Sequence, residues 1–183
     1  TLLGIVDAAI GGKTGINHDA GKNLIGAFWQ PSFVIGDTEL LQTLERRQMS
    51  AGMGEVLKYA GLAGEPFLKN ILRYERSGDL YDDRSLSRLA RSSVAYKGDI
   101  VARDEWEGHT RMLLNLGHTF AHAIEQSLGF GRLLHGEAVT LGLLGAIELS
   151  CRLKPGRSMA LAGYREMVQQ FVARLARRKL DPV

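Results

Sequence analysis

Three of the chain's five histidines fall in one stretch, "LLNLGHTFAHAIEQSLGFGRLLHGEAV", residues 113–139. His118 and His122 are four apart in a helical pattern, so they project from one face. His135 follows a glycine-rich break and opens a second helical pattern, "GEAVTLGLLGAIEL", where free backbone N–H groups and the helix dipole favour anions. Zinc takes imidazole nitrogens and fills its other positions with Cys, Asp, Glu or water. The zinc-protease motif needs Glu directly after its first histidine. Thr119 stands there, which excludes that reading. The pair stays open to two others: both on one metal, or one on metal and one on a substrate. Glu55, in "SAGMGEVLKYAG", is the best carboxylate candidate, a lone acid among Gly, Ala, Met and Val. Burying it unpaired is costly, so it needs a cation or a metal. Lys58, three residues on, shares its face. The plain alternative is a set of satisfied core residues.

The stretch "GGKTGINHDAGKNLIG" is neither a Walker loop nor the dinucleotide fingerprint. Its Lys13, Lys22, Asn23 and glycines still suit phosphate, since glycine lets backbone N–H groups approach an anion. Plain turns read equally well. Lys13, Lys58, Lys97 and Arg111 are cations fitted to carboxylate or phosphate. Arg111, Asn115 and His118 lie at spacings that share one side of a helix. Lys97 and Asp104 are likewise seven apart. For each the alternative is a surface charge, most of all for Glu107.

These residues need elements to position them. Residues 2–6, "LLGIV", and 32–37, "SFVIGD", read as strands, the first of them buried. Residues 11–23 read as a glycine-rich loop or turns. Residues 38–44 read as a short helix capped by Asp37 or Thr38. From about Arg46 the period becomes helical, with helices expected over 47–62, 66–76, 84–104, 111–128, 136–153 and 158–179. The organisation is an α/β tail, residues 1–46, followed by an all-helical domain, residues 47–183.

The totals narrow the class. At 45% apolar and 23% charged, the 183 residues suit a globular protein. No apolar run is long enough to span a bilayer, and no membrane partner is expected. The single cysteine, Cys151, excludes an internal disulfide and points to a reducing, cytoplasmic compartment. A net charge of +3 mildly favours anionic ligands. The basic cluster at 174–180, "RLARRKL", reads as a solvated helix end, so no nucleic-acid partner is expected. The opening "TLLGIVDAAIGGKTG" has no signal-peptide pattern and reads as the continuation of an upstream segment.

Four stretches together carry a resemblance: "VDAAIGGKTGINHDAGKNLIGAFWQP", "GMGEVLKYA", "KGDIVARDEWEGHTRMLLNLGHTFAHAIE" and "LHGEAV". In order and spacing they resemble the 3-dehydroquinate synthase family, from Thr1 to about Leu153. The resemblance implies the tail of an NAD-binding α/β domain followed by a mainly helical metal- and substrate-binding domain. It implies a lyase of the shikimate pathway that turns 3-deoxy-D-arabino-heptulosonate 7-phosphate into 3-dehydroquinate and phosphate. The implied cofactors are NAD and a divalent metal, zinc or cobalt, and the implied assembly is a homodimer.

Roles carry over by position. Glu55, His118 and His135 match the metal ligands, and His122 matches a substrate-side histidine near the phosphate. Asp7, Lys13 and Lys22 match positions at NAD or between cofactor and substrate. Leu40, Leu41, Gln42 and Thr43 match a further cofactor-side stretch. Asn23, Lys58, Lys97, Glu107, Arg111 and Asn115 match the polar groups that hold the substrate. The rivals are cyclases that make 2-deoxy-scyllo-inosose or valiolones, a glycerol-dehydrogenase-like oxidoreductase, and a helical interaction domain without catalysis. "GGKTG", Arg111, Asn115 and His122 follow the dehydroquinate pattern. Two parts of the family pattern have no match: the upstream nucleotide loops and the far C-terminal segment. The 183 residues alone are therefore expected to be inactive.

Overall fold

Every residue from Met49 to Ala60 is buried in α1 (Arg46–Ala63). The sequence explains this: the run is almost wholly Ala, Gly, Met, Val, Leu and Tyr, so neighbours can cover it on all sides. The protein is described here from a computed structural model, which covers residues 1–19, 21–129 and 131–177; the side chains of Asn17, Lys22 and Asn23 lie outside the described part. Around α1 stand α2 (Glu65–Ser77), α3 (Asp83–Arg103), α4 (His118–Leu128), α5 (His135–Leu153) and α6 (Ser158–Arg177). α5 packs against α1, α4 and α6, and α3 packs against the N-terminal turn. The fold is mainly helical, with one two-stranded sheet among the described residues.

Five of these helices start and stop within two residues of the expected limits, apart from the end of α6, where the expected residues 178–179 lie outside the described part. Their punctuation is chemical. Asp82 caps α3 by accepting the Ser85 N–H at 2.6 Å. Gly78 ends α2 with φ 82°, a left-handed conformation that suits glycine.

The single helix expected over 111–128 is instead two pieces, a 3-10 turn at Thr110–Asn115 and α4. Asp104 causes part of this. Its carboxylate accepts the N–H groups of Gly108, His109 and Arg111 at 2.8, 2.8 and 2.9 Å, which holds the chain in a turn. Gly117, at φ 82°, then makes the break. A Cβ there would sit 2.9 Å from the Leu143 nitrogen of α5. Arg111 and Asn115 therefore do not share a helix with His118.

Three readings in the first 46 residues are corrected. Residues 2–6 are helical, running into a π-type turn at Gly4–Ala8, with Leu2 and Val6 fully buried in the core. Spacing of four puts these two side chains on one helical face, and so short an apolar run does not by itself separate strand from helix. Residues 11–23 belong largely to an antiparallel hairpin, β1 (Lys13–His18) and β2 (Gly21–Phe28), paired as Lys13 with Phe28 and Ile16 with Ile25. Its glycines serve close packing: a Cβ on Gly26 would lie 2.0 Å from the Thr14 carbonyl oxygen. Residues 32–37 form no regular element, and Phe33, Val34 and Ile35 are exposed. A strand needs a ladder partner for its backbone groups, and among the described residues this segment has none. Residues 38–44 do contain the short helix, a 3-10 turn at Glu39–Thr43, with Asp37 accepting the Glu39 N–H at 2.9 Å.

The crossing of α1 and α5 is glycine-tight. A Cβ on Gly136 would fall 1.7 Å from the Ala51 carbonyl oxygen, and one on Gly54 would fall 2.1 Å from the Gly136 carbonyl oxygen. Both obstacles are backbone, so the helices would have to move apart. Gly136→Ala is expected to cost about 1–3 kcal/mol or more in overpacking, read as a lower urea midpoint. An unchanged midpoint would contradict this crossing.

Candidate metal centre

The close crossing brings the start of α5 over the middle of α1. Glu55 on α1 is fully buried. His135, the first residue of α5, points its Nε2 to 3.4 Å from Glu55 Oε1. His118, the first residue of α4, points its Nε2 to 3.5 Å from the same oxygen. One ligand atom from each of the three lies within 4.8 Å of the others. The backbone sets the orientation of His118: its Nδ1 lies 3.3 Å from the Leu116 carbonyl oxygen, just before the Gly117 break. The start of α5 is tied to α1 by a forked pair. Arg47 donates to Glu137 at 2.9 and 3.0 Å, and Glu137 also accepts the Leu134 N–H at 2.9 Å.

The charge around Glu55 is incomplete. Lys58 Nζ is 2.5 Å from Glu55 Oε2 and 3.5 Å from Asp7 Oδ1. Yet neither Glu55 oxygen receives a well-directed hydrogen bond from the protein. Lys58 covers Oε2 as an ion pair, which leaves Oε1 facing only the two imidazole Nε2 atoms. A divalent cation bound by one carboxylate oxygen and two imidazoles, with open positions left over, fits the donor set of a catalytic zinc site.

Glu55 and His118 are held in the form that ligates, whereas His135 is held toward its protonated form and would give up a proton to a metal. Burial raises the Glu55 pKa, but His135, Lys58 and His118 outweigh it and hold the carboxyl below its usual value. Burial lowers the His118 pKa, helped by Lys58 and His135, so this imidazole stays neutral and free to ligate. The carboxylate of Glu55 raises the pKa of His135.

Behind the triad lies a second network. Asp7 accepts from Lys97 at 2.7 Å and from the Tyr59 hydroxyl at 2.6 Å, and the Asp7 carbonyl accepts from Lys97 at 2.6 Å. Burial pushes the Asp7 pKa up, but Lys58, Lys97 and Tyr59 together bring it well below the usual carboxylate range. The same burial pushes Lys97 down and the Tyr59 hydroxyl up.

A third group forms around Glu107, the one described non-glycine residue with positive φ, 59°. It pairs closely with Lys13 and accepts from Asn115 at 3.1 Å. Arg111 is buried and donates to the carbonyls of Gly11 and Glu105, at 2.6 and 2.5 Å. In this structure Arg111 therefore acts as a strap on the protein's own backbone.

The expected residues thus fall into different places. Glu55, His118 and His135 converge, with Lys58 beside them. The exposed His122 ring sits 5.8 Å from His118 and 6.2 Å from His135, centroid to centroid. Lys97 meets Asp7, and Lys13 meets Glu107 and thereby Asn115. The stretch from Leu40 to Thr43 stands apart: Leu41 is in the core, Gln42 donates to Asp83 at 2.8 Å, and Thr43 bonds the Leu40 carbonyl. Leu41 and Gln42 line a groove of about 1400 Å³ whose walls include none of the triad. The side chains of Lys22 and Asn23 lie outside the described part.

Reasoning from sequence passed over Tyr59, Glu125 and Glu137. Glu125 had a signal: it is three residues after His122 and seven after His118, on the same helical face.

Residues 52–182 match the family described as 3-dehydroquinate synthase C-terminal, and residues 1–51 match 3-dehydroquinate synthase N-terminal. The chain belongs to the 3-dehydroquinate synthase family. Over 153 residues it is 48% identical to the 3-dehydroquinate synthase of Acidithiobacillus ferrooxidans and 49% identical to that of Saccharophagus degradans. Each alignment covers 84% of this chain and 42% of the relative, so the chain spans under half the length of these curated relatives. Solved structures of sugar-phosphate cyclases share the fold. A 2-deoxy-scyllo-inosose synthase with carbaglucose-6-phosphate, NAD+ and Co2+ aligns at TM-score 0.77 and 25% identity, covering 94% of this chain and 48% of that one. A 2-epi-5-epi-valiolone synthase from Streptomyces hygroscopicus with NAD+ and Zn2+ aligns at 0.74 and 29%, with the same coverage. The mainly helical portion of this chain carries the candidate metal residues. Among the described residues no helix is long and apolar enough to cross a membrane.

Proposed function

We propose that the full-length protein is a 3-dehydroquinate synthase, a carbon–oxygen lyase that uses NAD and a divalent metal, zinc or cobalt. Its substrate would be 3-deoxy-D-arabino-heptulosonate 7-phosphate and its products 3-dehydroquinate and phosphate. The observation that carries the reading is the fully buried Glu55 carboxylate, whose Oε1 faces both His118 Nε2 and His135 Nε2. The residue pattern and the 48–49% identity to curated 3-dehydroquinate synthases favour this product over those of the cyclases at 25–29%. A homodimer in the cytoplasm, with residues 1–46 closing the NAD-binding domain and 47–183 forming the helical one, belongs to the same proposal.

When bound, NAD would accept and return a hydride while the metal polarises the substrate oxygens at the reacting carbons. The chain's own residues would bind and orient. Glu55, His118 and His135 hold the metal, and Lys58 keeps Glu55 ionised between two carboxylates. His122, exposed beside the triad, faces the substrate's phosphate side. Lys13, Asn115 and Glu107 form a polar wall whose internal pairs exchange for substrate oxygens. Lys97 and Asp7 fix the N-terminal turn at the cofactor side. Arg111 holds Gly11 and the Glu105 loop in place. Lys22, Asn23 and the stretch from Leu40 to Thr43 remain cofactor- or substrate-side candidates.

The test is phosphate release by the full-length protein with zinc and NAD. With 3-deoxy-D-arabino-heptulosonate 7-phosphate, one dehydroquinate is expected per phosphate, with no net NADH. With glucose 6-phosphate, no phosphate is expected. Release from glucose 6-phosphate alone would assign the protein to the 2-deoxy-scyllo-inosose type of cyclase.

A further inference from the structure

We propose that Glu125 is a positioning residue for the metal centre: it accepts the Nδ1–H of His135 and so turns Nε2 toward the metal. The inference rests on the metal reading above.

His135 sits between two carboxylates. Its Nε2 faces Glu55 Oε1 at 3.4 Å, and its Nδ1 faces Glu125 Oε1 at 3.8 Å. Glu125 comes from α4, the helix that also carries His118 and His122. It is buried, 6% exposed, on a face otherwise apolar or histidine. A buried carboxylate is held by donors around it. The His135 ring N–H is such a donor. At 3.8 Å the contact is an ion-pair distance, longer than a hydrogen bond, and on this proposal it shortens to one in the metal-bound protein.

The other ligand histidine supplies the pattern. The Nδ1 of His118 is held by a protein oxygen, the Leu116 carbonyl at 3.3 Å, with Nε2 turned to Glu55. A neutral imidazole carries one N–H and one lone pair, so fixing the proton on Nδ1 leaves the lone pair on Nε2. Glu125 gives His135 the same arrangement, with a charged acceptor that makes the ring a stronger donor to metal. His122, Glu125 and His135 also lie close enough to form a second three-ligand group. That group competes for His135. A neutral His135 that ligates through Nε2 has no second lone pair to give, so the positioning role is the one compatible with the first site.

The experiment uses the full-length protein labelled with 15N in its histidine rings. Zinc affinity is measured by chelator competition and the ring protons by NMR. The zinc-loaded wild type is expected to show His135 ligated through Nε2, with a slowly exchanging Nδ1–H. Glu125→Leu, which keeps bulk and removes the acceptor, is expected to lose that resonance and bind zinc about 10–100-fold more weakly. Glu125→Gln, whose amide oxygen still accepts an N–H, is expected to keep the resonance and bind zinc more tightly than the leucine variant. Equal zinc affinity in wild type and Glu125→Leu overturns the proposal. So does ligation of His135 through Nδ1 in the wild type, a result that stands even if the leucine variant does not fold. Absence of zinc from the wild type would remove the metal reading and this proposal together, whereas zinc bound without the Nδ1–H signature removes only this proposal.

Discussion

Replacing His118 with alanine is expected to strip the protein of its metal. The variant leaves one carboxylate and one imidazole, short of the three protein ligands a catalytic zinc site uses. The loss of affinity should exceed the about 10–100-fold that an outer partner is worth. His118 is well placed to matter, because α4 begins with it and the Leu116 carbonyl fixes its ring. Burial keeps it neutral, so ligation requires no proton release from this residue. Zinc content after gel filtration reads the effect directly. Unfolding with and without zinc gives a second measure, since a ligand at 1,000 times its Kd stabilises by about 4 kcal/mol. That increment should vanish in His118→Ala, while the metal-free forms differ far less. One zinc per variant chain, held as tightly as in the wild type, would refute the site.

Lys58→Met is expected to be the most damaging change to folding. Lys58 is 1% exposed and lies between Glu55 and Asp7, both largely buried. Removing it keeps the volume and leaves two carboxylates facing one another with less compensation. Breaking a buried pair in this way costs about 3–5 kcal/mol, read as a lower urea midpoint at neutral pH. The penalty should shrink in the zinc-loaded protein, because the metal supplies a second cation beside Glu55. An equal penalty with and without zinc would mean that no metal charge reaches Glu55.

The pH dependence follows from Asp7. Its folded-state pKa is depressed, so its contribution to stability is fully present above the unfolded value of 3.8 and is lost as pH falls through the folded value. The wild type should therefore lose stability from about pH 4 downward. In Lys58→Met the depression is smaller, and the acid limb should be shallower. A steeper limb in the variant would reverse the assigned role of Lys58.

Much of this protein is legible in local sequence. Apart from the start of α4, the helices between Arg46 and Arg177 follow from period, caps and glycine stops, which are interactions within a few residues of one another. Glu55 is conspicuous as a single acid in "SAGMGEVLKYAG" for the same local reason, and the four quoted stretches point to the family before any contact is known. Even the missed Glu125 obeys the spacing that links His118 to His122.

The tertiary structure decided what depends on neighbours distant in sequence. Whether "LLGIV" becomes strand or helix turns on what is there to pair with or pack on, and here Leu2 packs on Gly52 of α1. The "FVI" at Phe33–Ile35 has no strand to join among the described residues. The helix expected at 111–128 breaks because Asp104 captures three N–H groups and Gly117 must come within reach of α5. The direction of each imidazole was likewise undetermined by spacing. Period places His118 and His122 on one face, but only the crossing of α1 and α5 through Gly54 and Gly136 brings His135 over Glu55 and leaves His122 exposed at the rim. Sequence specifies which chemistry is available, because side-chain type and local period are local properties. Which groups meet is a property of packing, where backbone contact distances select one arrangement among several that the same pattern allows.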